Sequence, residues 1–439
     1  MRQKFKTKNT LTFQTSNNKK AKLLEAISKI ISKNPKLIEN VWQDLTKDKK
    51  NAGSKGLSAD QVFRIALLKN IEGLTYDQLV FHLAETMVYR TFCNIGFADK
   101  IPSRSSLASL IKSLSPEVWE DIQVITVNMP EAKKIDSGKK ARTDCTVVKS
   151  KILKPFDSQL LYDLIRVSVR KLKKSDFTGY CDRTKQAKRR MLELRSTKGK
   201  EKRKPIYKEL LKVTYETMEY VGNALEDSIL NPKKYKNGFT LDLALLLIKA
   251  EVVVSQTVRR VLEGESVPAE EKYVSIFETH ADIIVKDNRE TFYGHKICLT
   301  AGVSNMIFDC KILDGNPADS SLAVEMIDRL KIKLGKVPEE VAMDGGFASK
   351  ANVKDLKIAK VKEICFSKKR GMKEEDMCSS KKVYKKLWKF RAGVEGVISW
   401  LKRVFSLDEC PWKSHRSFKS YVLSNIVAAN FVTIGKSLL

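Results

Sequence analysis

Apolar positions recur at a helical period along the first third of the chain, and a strand period sets in only near residue 140. Residues 21–45 place their apolar side chains on one helical face and predict an amphipathic helix. Residues 47–56, rich in Lys, Asn, Gly and Ser, predict a loop. Ser58 with Gln61 has the form of a capping box opening a helix to Asn70, and Gly73 interrupts it. Thr75 with Gln78 repeats the device and opens a helix to about Thr86. Pro102-Ser103 precedes a further short helix, and Ser115-Pro116-Glu117 starts another with proline at its first position. Short helices joined by tight turns suit a helix-turn-helix module or a plain helical bundle equally.

Thr143 to Val148 is short and β-branched and predicts a strand. After Pro155 the pattern is helical again to about Glu263. Strand patterns resume at Thr291–Thr300 and Met306–Leu313, a hairpin around Gly302-Val303-Ser304-Asn305. Asp319 is placed to cap a helix that runs to Gly335. Glu340–Asp344 and Val361–Phe366 read as two more strands, Lys382–Phe405 as a long helix and Ser417–Leu439 as a last one. The pattern therefore predicts an α/β protein with five strands, an all-helical N-terminal domain over 1–135, an α/β domain over 136–439 and a helical insertion over 155–270 after the first strand.

Charge changes this picture most. Lys and Arg number 82 against 52 Asp and Glu, a formal net charge of +30. Such an excess repels itself in a compact chain, and a polyanion relieves it. Two basic runs, Lys185–Arg190 and Lys198–Lys208, lie inside the helical insertion. One run alone reads as a solvated face; two in one insertion suit a DNA-contacting arm. A lysine-rich compositional bias is the other source of such charge. The eight cysteines form no C-x-x-C pair and most sit beside apolar residues, which points to reduced thiols and a cytoplasmic setting. The segment Met1–Lys20 lacks the apolar centre of a secretory signal, and the longest apolar stretch, Tyr421–Ile434, is too short to span a bilayer. No Gly-x-x-x-x-Gly-Lys phosphate loop is present, so no nucleotide cofactor is expected.

Three acids are candidates for chemistry. Asp144 lies within the first strand pattern, and Asp344 ends the fourth, ahead of Gly345-Gly346. An acid at the end of a buried strand is costly unless paired or metal-bound, although a lone aspartate there is more often a turn former. On the helix Lys382–Phe405, Trp388, Arg391, Glu395 and Lys402 are three, four and seven residues apart and share one stripe. A core-facing stripe is apolar; this one is polar and predicts a site or a partner. Gly393 and Gly396 flank Glu395 despite a helix cost of about 1 kcal/mol each, which suggests close packing beside it. Three carboxylates on separate elements suit two divalent cations, Mg²⁺ or Mn²⁺.

With these residues in view, the chain resembles the DDE transposases of bacterial insertion sequences. Trp388, Arg391, Glu395 and Lys402, with gaps of two, three and six residues, resemble that family's Tyr/Arg/Glu/Lys signature, with tryptophan where tyrosine is usual. Asp344-Gly-Gly-Phe347 is similar to its second-aspartate motif, and Asp144 in Thr-Asp-Cys-Thr-Val-Val to its first-aspartate strand. Gly56–Ser113 resembles its N-terminal helical domain. The resemblance implies an RNase H-like core with a five-stranded mixed sheet that brings Asp144, Asp344 and Glu395 together as metal ligands. It implies Trp388 stacking near a transposon end, with Arg391 and Lys402 on DNA phosphates. It also implies terminal inverted repeats and target DNA as partners, and a homodimer or higher multimer on DNA. A catalytically silent DNA-binding derivative and a nuclease without strand transfer are the alternatives.

Overall fold

The computed structural model describes residues 3–5, 18–47, 56–286 and 290–439. The expected helix over 21–45 is two helices, Lys19–Lys33 and Pro35–Thr46. Proline has no N–H to continue the first helix, and it serves instead at the first position of the second. Both capping boxes form. Ser58 Oγ accepts from the Gln61 backbone at 3.2 Å while Gln61 Oε1 accepts from the Ser58 backbone at 3.0 Å, and Thr75 and Gln78 are paired alike. They open the helices Ala59–Ile71 and Tyr76–Glu85, with Gly73 between them at a φ of 62°. Ser103 and Ser115 cap Arg104–Lys112 and Pro116–Asn128. Two short helices, Met87–Phe92 and Pro130–Ile135, lie where the pattern gives none. Most of the expected 47–56 loop falls outside the described residues.

The strands are β1 (Lys140–Ser150), β2 (Asp282–Lys286), β3 (Glu290–Ala301), β4 (Ile307–Ile312), β5 (Glu340–Met343), β6 (Glu363–Phe366) and β7 (Glu409–Cys410). They form one sheet in the order β2-β3-β1-β5-β6, with β4 also on β3 and β7 on β1. Five are the strands the sequence predicts; β2 and β7 are additions. The sheet is mixed: β3 is antiparallel to β2 and β4, while β5 runs parallel to β1 and β6. Parallel strands are buried on both faces, and the helix His415–Ser437 is part of that cover. It packs on β4 and on the helices Lys19–Lys33, Ala59–Ile71 and Pro116–Asn128, and 16 of its 23 residues are buried. Its Asn430 is fully buried because its side-chain amide accepts from Ile307 N and donates to Ile307 O, each at 2.8 Å. The described residues up to Ser150 and His295–Leu439 make one compact unit with a continuous core.

Lys151–Gly294 is a second compact unit with a core of its own, centred on Leu161, Leu164, Leu210, Val221, Leu243 and Val253. It contains the helices Asp157–Leu172, Thr184–Ser196, Lys200–Leu230 and Phe239–Thr257. This unit runs on through β2 to the start of β3, past the 155–270 bounds expected for the insertion.

Candidate active site

β1 is eleven residues long, well beyond the six-residue pattern that predicts it. Alternation puts Lys140, Arg142 and Asp144 on one face of that strand. The helix Lys381–Val404 lies against β1, β5 and β6. It docks through buried Tyr384, Leu387, Val394, Val397 and Leu401, and the Tyr384 hydroxyl donates to Phe366 O at 2.7 Å. Arg142 reaches across to it, donating to Phe390 O at 3.0 Å with its guanidinium 4.7 Å from the Phe390 ring centre. A Cβ at position 393 would stand 1.9 Å from Arg142 Nη1, so Gly393 is the gap that admits this arginine. Nothing lies within 4 Å of the corresponding point at Gly396. Close packing beside Glu395 is therefore real at one glycine and absent at the other.

The three acids converge on one cation. Arg391 Nη2 lies 3.3 Å from Asp144 and 2.9 Å from Asp344, and Arg391 Nη1 lies 2.9 Å from Glu395. Asp144 comes from the middle of β1, Asp344 from the residue after β5, and Glu395 from the helix one turn beyond Arg391. Arg391 and Asp144 are largely buried, Asp344 is half-buried and Glu395 is 64% exposed. Burial raises the Asp144 carboxyl most, the Cys145 N–H and Arg391 pull it down, the charges of Asp344 and Asp319 push it up, and together they set it at about 6. Burial also raises Asp344, but the Ser367 hydroxyl, the Gly345 and Gly346 N–H groups and Arg391 outweigh it and hold that carboxyl below its usual range. The Ser367 bond is 2.7 Å long. Cys145, next to Asp144, has its thiol pushed well up by a hydrogen bond with the Cys298 thiol and by burial, so no thiolate nucleophile stands here.

Asp319 does not cap a helix. It begins a short 3-10 turn, and its carboxylate pairs with Lys296 at 2.6 Å. A Cβ at Gly346 would stand 2.7 Å from that carboxylate, and one at Gly345 would stand 2.7 Å from the Lys368 side chain. The glycine pair after Asp344 thus makes room for the chain's own Asp319 and Lys368. Trp388 is 49% exposed. Lys402 is 3.4 Å from Asp408, apart from the carboxylate cluster. Sequence reasoning missed the roles of Arg142, Ser367, Lys296 and Asp319. Only Gly393 hinted at the first, and nothing local marks the others.

The donor set of Asp144, Asp344 and Glu395 is all hard oxygen, which fits Mg²⁺ or Mn²⁺. A positive group already sits among the three, so the site accommodates a cation. Among the described residues, no group of three or more His, Cys, Asp or Glu is spaced to grip a metal ion as it stands. The carboxylates are spread around a guanidinium.

Two family models match the chain. The Transposase DDE domain matches residues 257–431, and the Transposase domain (DUF772) matches residues 12–113. The chain belongs to the DDE transposases of insertion sequences. The first match contains Asp344 and Glu395; Asp144 lies outside both. No curated protein and no solved structure matches the transposase. None of its eight cysteines forms a disulfide, and six are buried. No described helix of the transposase is long and apolar enough to cross a membrane.

Proposed function

We propose that this transposase cuts DNA at the terminal inverted repeats of its element and joins the freed 3′ hydroxyl to target DNA, with Asp144, Asp344 and Glu395 as its catalytic metal ligands. The observation that carries the reading is the convergence of three acids from three separate elements on one point. Aligned side by side without a cation, they repel one another. The mixed sheet that gathers them supports an RNase H-like core. Bound there, two Mg²⁺ or Mn²⁺ ions supply activation of the attacking oxygen and stabilisation of the leaving oxygen of the phosphodiester.

The chain's own residues bind and orient the substrate. Trp388 is exposed on the glutamate helix among the exposed Lys385, Lys386 and Lys389, a surface suited to stacking on a base at the element's end with phosphates alongside. Arg391 and Lys402 act on phosphates near the scissile bond, as the Tyr/Arg/Glu/Lys-type group would have it. Each must first leave an acidic partner. Ser367 keeps the Asp344 carboxylate turned toward the site and ionised. The second unit binds the DNA backbone. Residues 183–208 hold twelve Lys and Arg against two Glu, and Lys185, Lys188, Arg189, Lys198, Lys200 and Lys202 have no acidic partner among the described residues. Action as a homodimer or higher multimer on paired ends, in the bacterial cytoplasm, completes the reading.

The experiment is an in vitro reaction of the purified protein with a DNA fragment carrying the element's ends and a plasmid target, with and without Mg²⁺. Mg²⁺-dependent products in which the fragment is joined to the plasmid are expected. Cut fragments with no joined product would leave a nuclease instead, and neither product alongside tight DNA binding would leave a silent derivative.

A further inference from the structure

Arg391 raises a question that phosphate binding leaves open, because its guanidinium occupies the centre of the acidic cluster. Both terminal nitrogens are engaged by carboxylates, and all three acids are served by that single cation. The arrangement is not that of a complete structural clamp. Arg391 Nε is buried and has no hydrogen-bond partner among the described residues, so one donor of the group is wasted where it sits. An unpaired buried donor is a net cost to the folded state. Glu395 is mostly exposed and its pair with Arg391 is an i,i+4 contact on one helix, a kind that contributes little in water. One positive charge also answers only one of three negative ones. The cluster is under-neutralised, and the cation that fills it is tethered by a flexible side chain.

We propose that Arg391 is a built-in counter-cation that competes with the divalent metal for Asp144, Asp344 and Glu395, so that metal loads only as the guanidinium swings out. This rests on the proposed reading of the three acids as metal ligands. It adds that the DNA-free protein holds its own site closed to metal, and that the arginine released by metal is the one available to a phosphodiester. A cation binding the carboxylates only after displacing another loses apparent affinity by the population of the displaced state.

The test is Mn²⁺ binding to the full, DNA-free chain, with free Mn²⁺ read by electron paramagnetic resonance. Arg391→Met removes the charge and keeps the length of the side chain; Arg391→Lys keeps a charge that cannot span all three acids. The expected result is Mn²⁺ binding at least tenfold tighter in Arg391→Met than in the wild type, with Arg391→Lys between them. Asp344→Asn added to Arg391→Met should abolish the gain. The Mn²⁺-induced rise in melting temperature should also be larger in Arg391→Met, a readout that needs no catalysis. If Arg391→Met fails to fold, Arg391→Gln and Arg391→Lys carry the comparison. Equal or weaker Mn²⁺ binding in the charge-removed variant, with Asp344→Asn still abolishing it, overturns the competition and leaves the metal reading intact. No Mn²⁺ binding that depends on Asp344 in any variant overturns the metal reading itself, and the competition falls with it.

Discussion

Arg329 and Arg391 both meet acids inside the fold, with opposite consequences. Asp309 on β4 is fully buried and paired with Arg329 at 2.6 Å and Lys333 at 2.6 Å. Burial alone would raise its carboxyl, but the Arg329 bond and the two positive charges hold it below the ordinary range. Here the cations are permanent partners. Asp309→Asn would leave Arg329 and Lys333 with only the part-exposed Glu120 as an acidic partner, so a loss of about 1–3 kcal/mol in urea-unfolding stability is expected, below the ~3–5 kcal/mol of a fully stranded buried pair. The sign of the pH effect follows from the lowered value. The folded state holds Asp309 ionised where the unfolded chain would take up a proton, so its contribution is present above the unfolded value near pH 4 and is lost as pH falls below it. Melting temperature should therefore drop less steeply between pH 5 and pH 3 in Asp309→Asn than in the wild type; equal slopes would refute that assignment. At Arg391 the same pairing chemistry is shared among three acids and leaves a donor unmet. The candidate acids were legible in the sequence because a carboxylate inside or at the end of an apolar strand is locally anomalous. That Arg391 turns inward to them was not, because a stripe on a helix specifies a face and not what stands opposite it.

At the scale of elements, the glutamate helix is the part whose sequence and packing correspond most closely. Its two glycines separate into different cases. Gly396→Ala adds a methyl group to open space and removes a helix-disfavouring residue, so stability should rise by roughly 0.5–1 kcal/mol. Gly393→Ala drives a methyl into the Arg142 guanidinium and should cost about 1–3 kcal/mol despite the better helix propensity. Thermal denaturation of the two variants side by side decides it, and matching shifts would contradict the packing described. Elements whose signals are local were legible: both capping boxes, the β3–β4 hairpin and the proline-started helix at Pro116. The break at Asn34-Pro35 was also in the sequence and was overridden by the continuous apolar period. β7, two residues long, exists only through its pairing with the distant β1 and is too short for its periodicity to announce it; β2 is a five-residue partner of β3. Asp319 followed the local rule for a cap and was drawn elsewhere by Lys296, a tertiary partner.

At the scale of the whole molecule, charge is the property most readily read from composition and least resolved by it. The +30 is not spread evenly; residues 183–208 of the second unit carry a net excess of ten. If that segment meets DNA backbone, replacing Lys185, Lys188, Lys198 and Lys202 with glutamine should weaken binding to duplexes of any sequence. It should also flatten the dependence of log affinity on log salt by roughly 0.9 for each phosphate that is no longer neutralised. An unchanged slope would return the runs to the role of a solvated face. None of this bears on chemistry, which depends on the three acids acting together. The most direct measurement is therefore Mg²⁺-dependent strand cleavage of a duplex carrying the element's end, by the wild type and by Asp144→Ala, Asp344→Ala and Glu395→Ala, with DNA binding measured in parallel. Each variant is expected to bind the duplex as the wild type does and to leave it uncut. Cleavage at the wild-type rate by any one of them would contradict the account at that residue, and by Asp344→Ala or Glu395→Ala would contradict it as a whole.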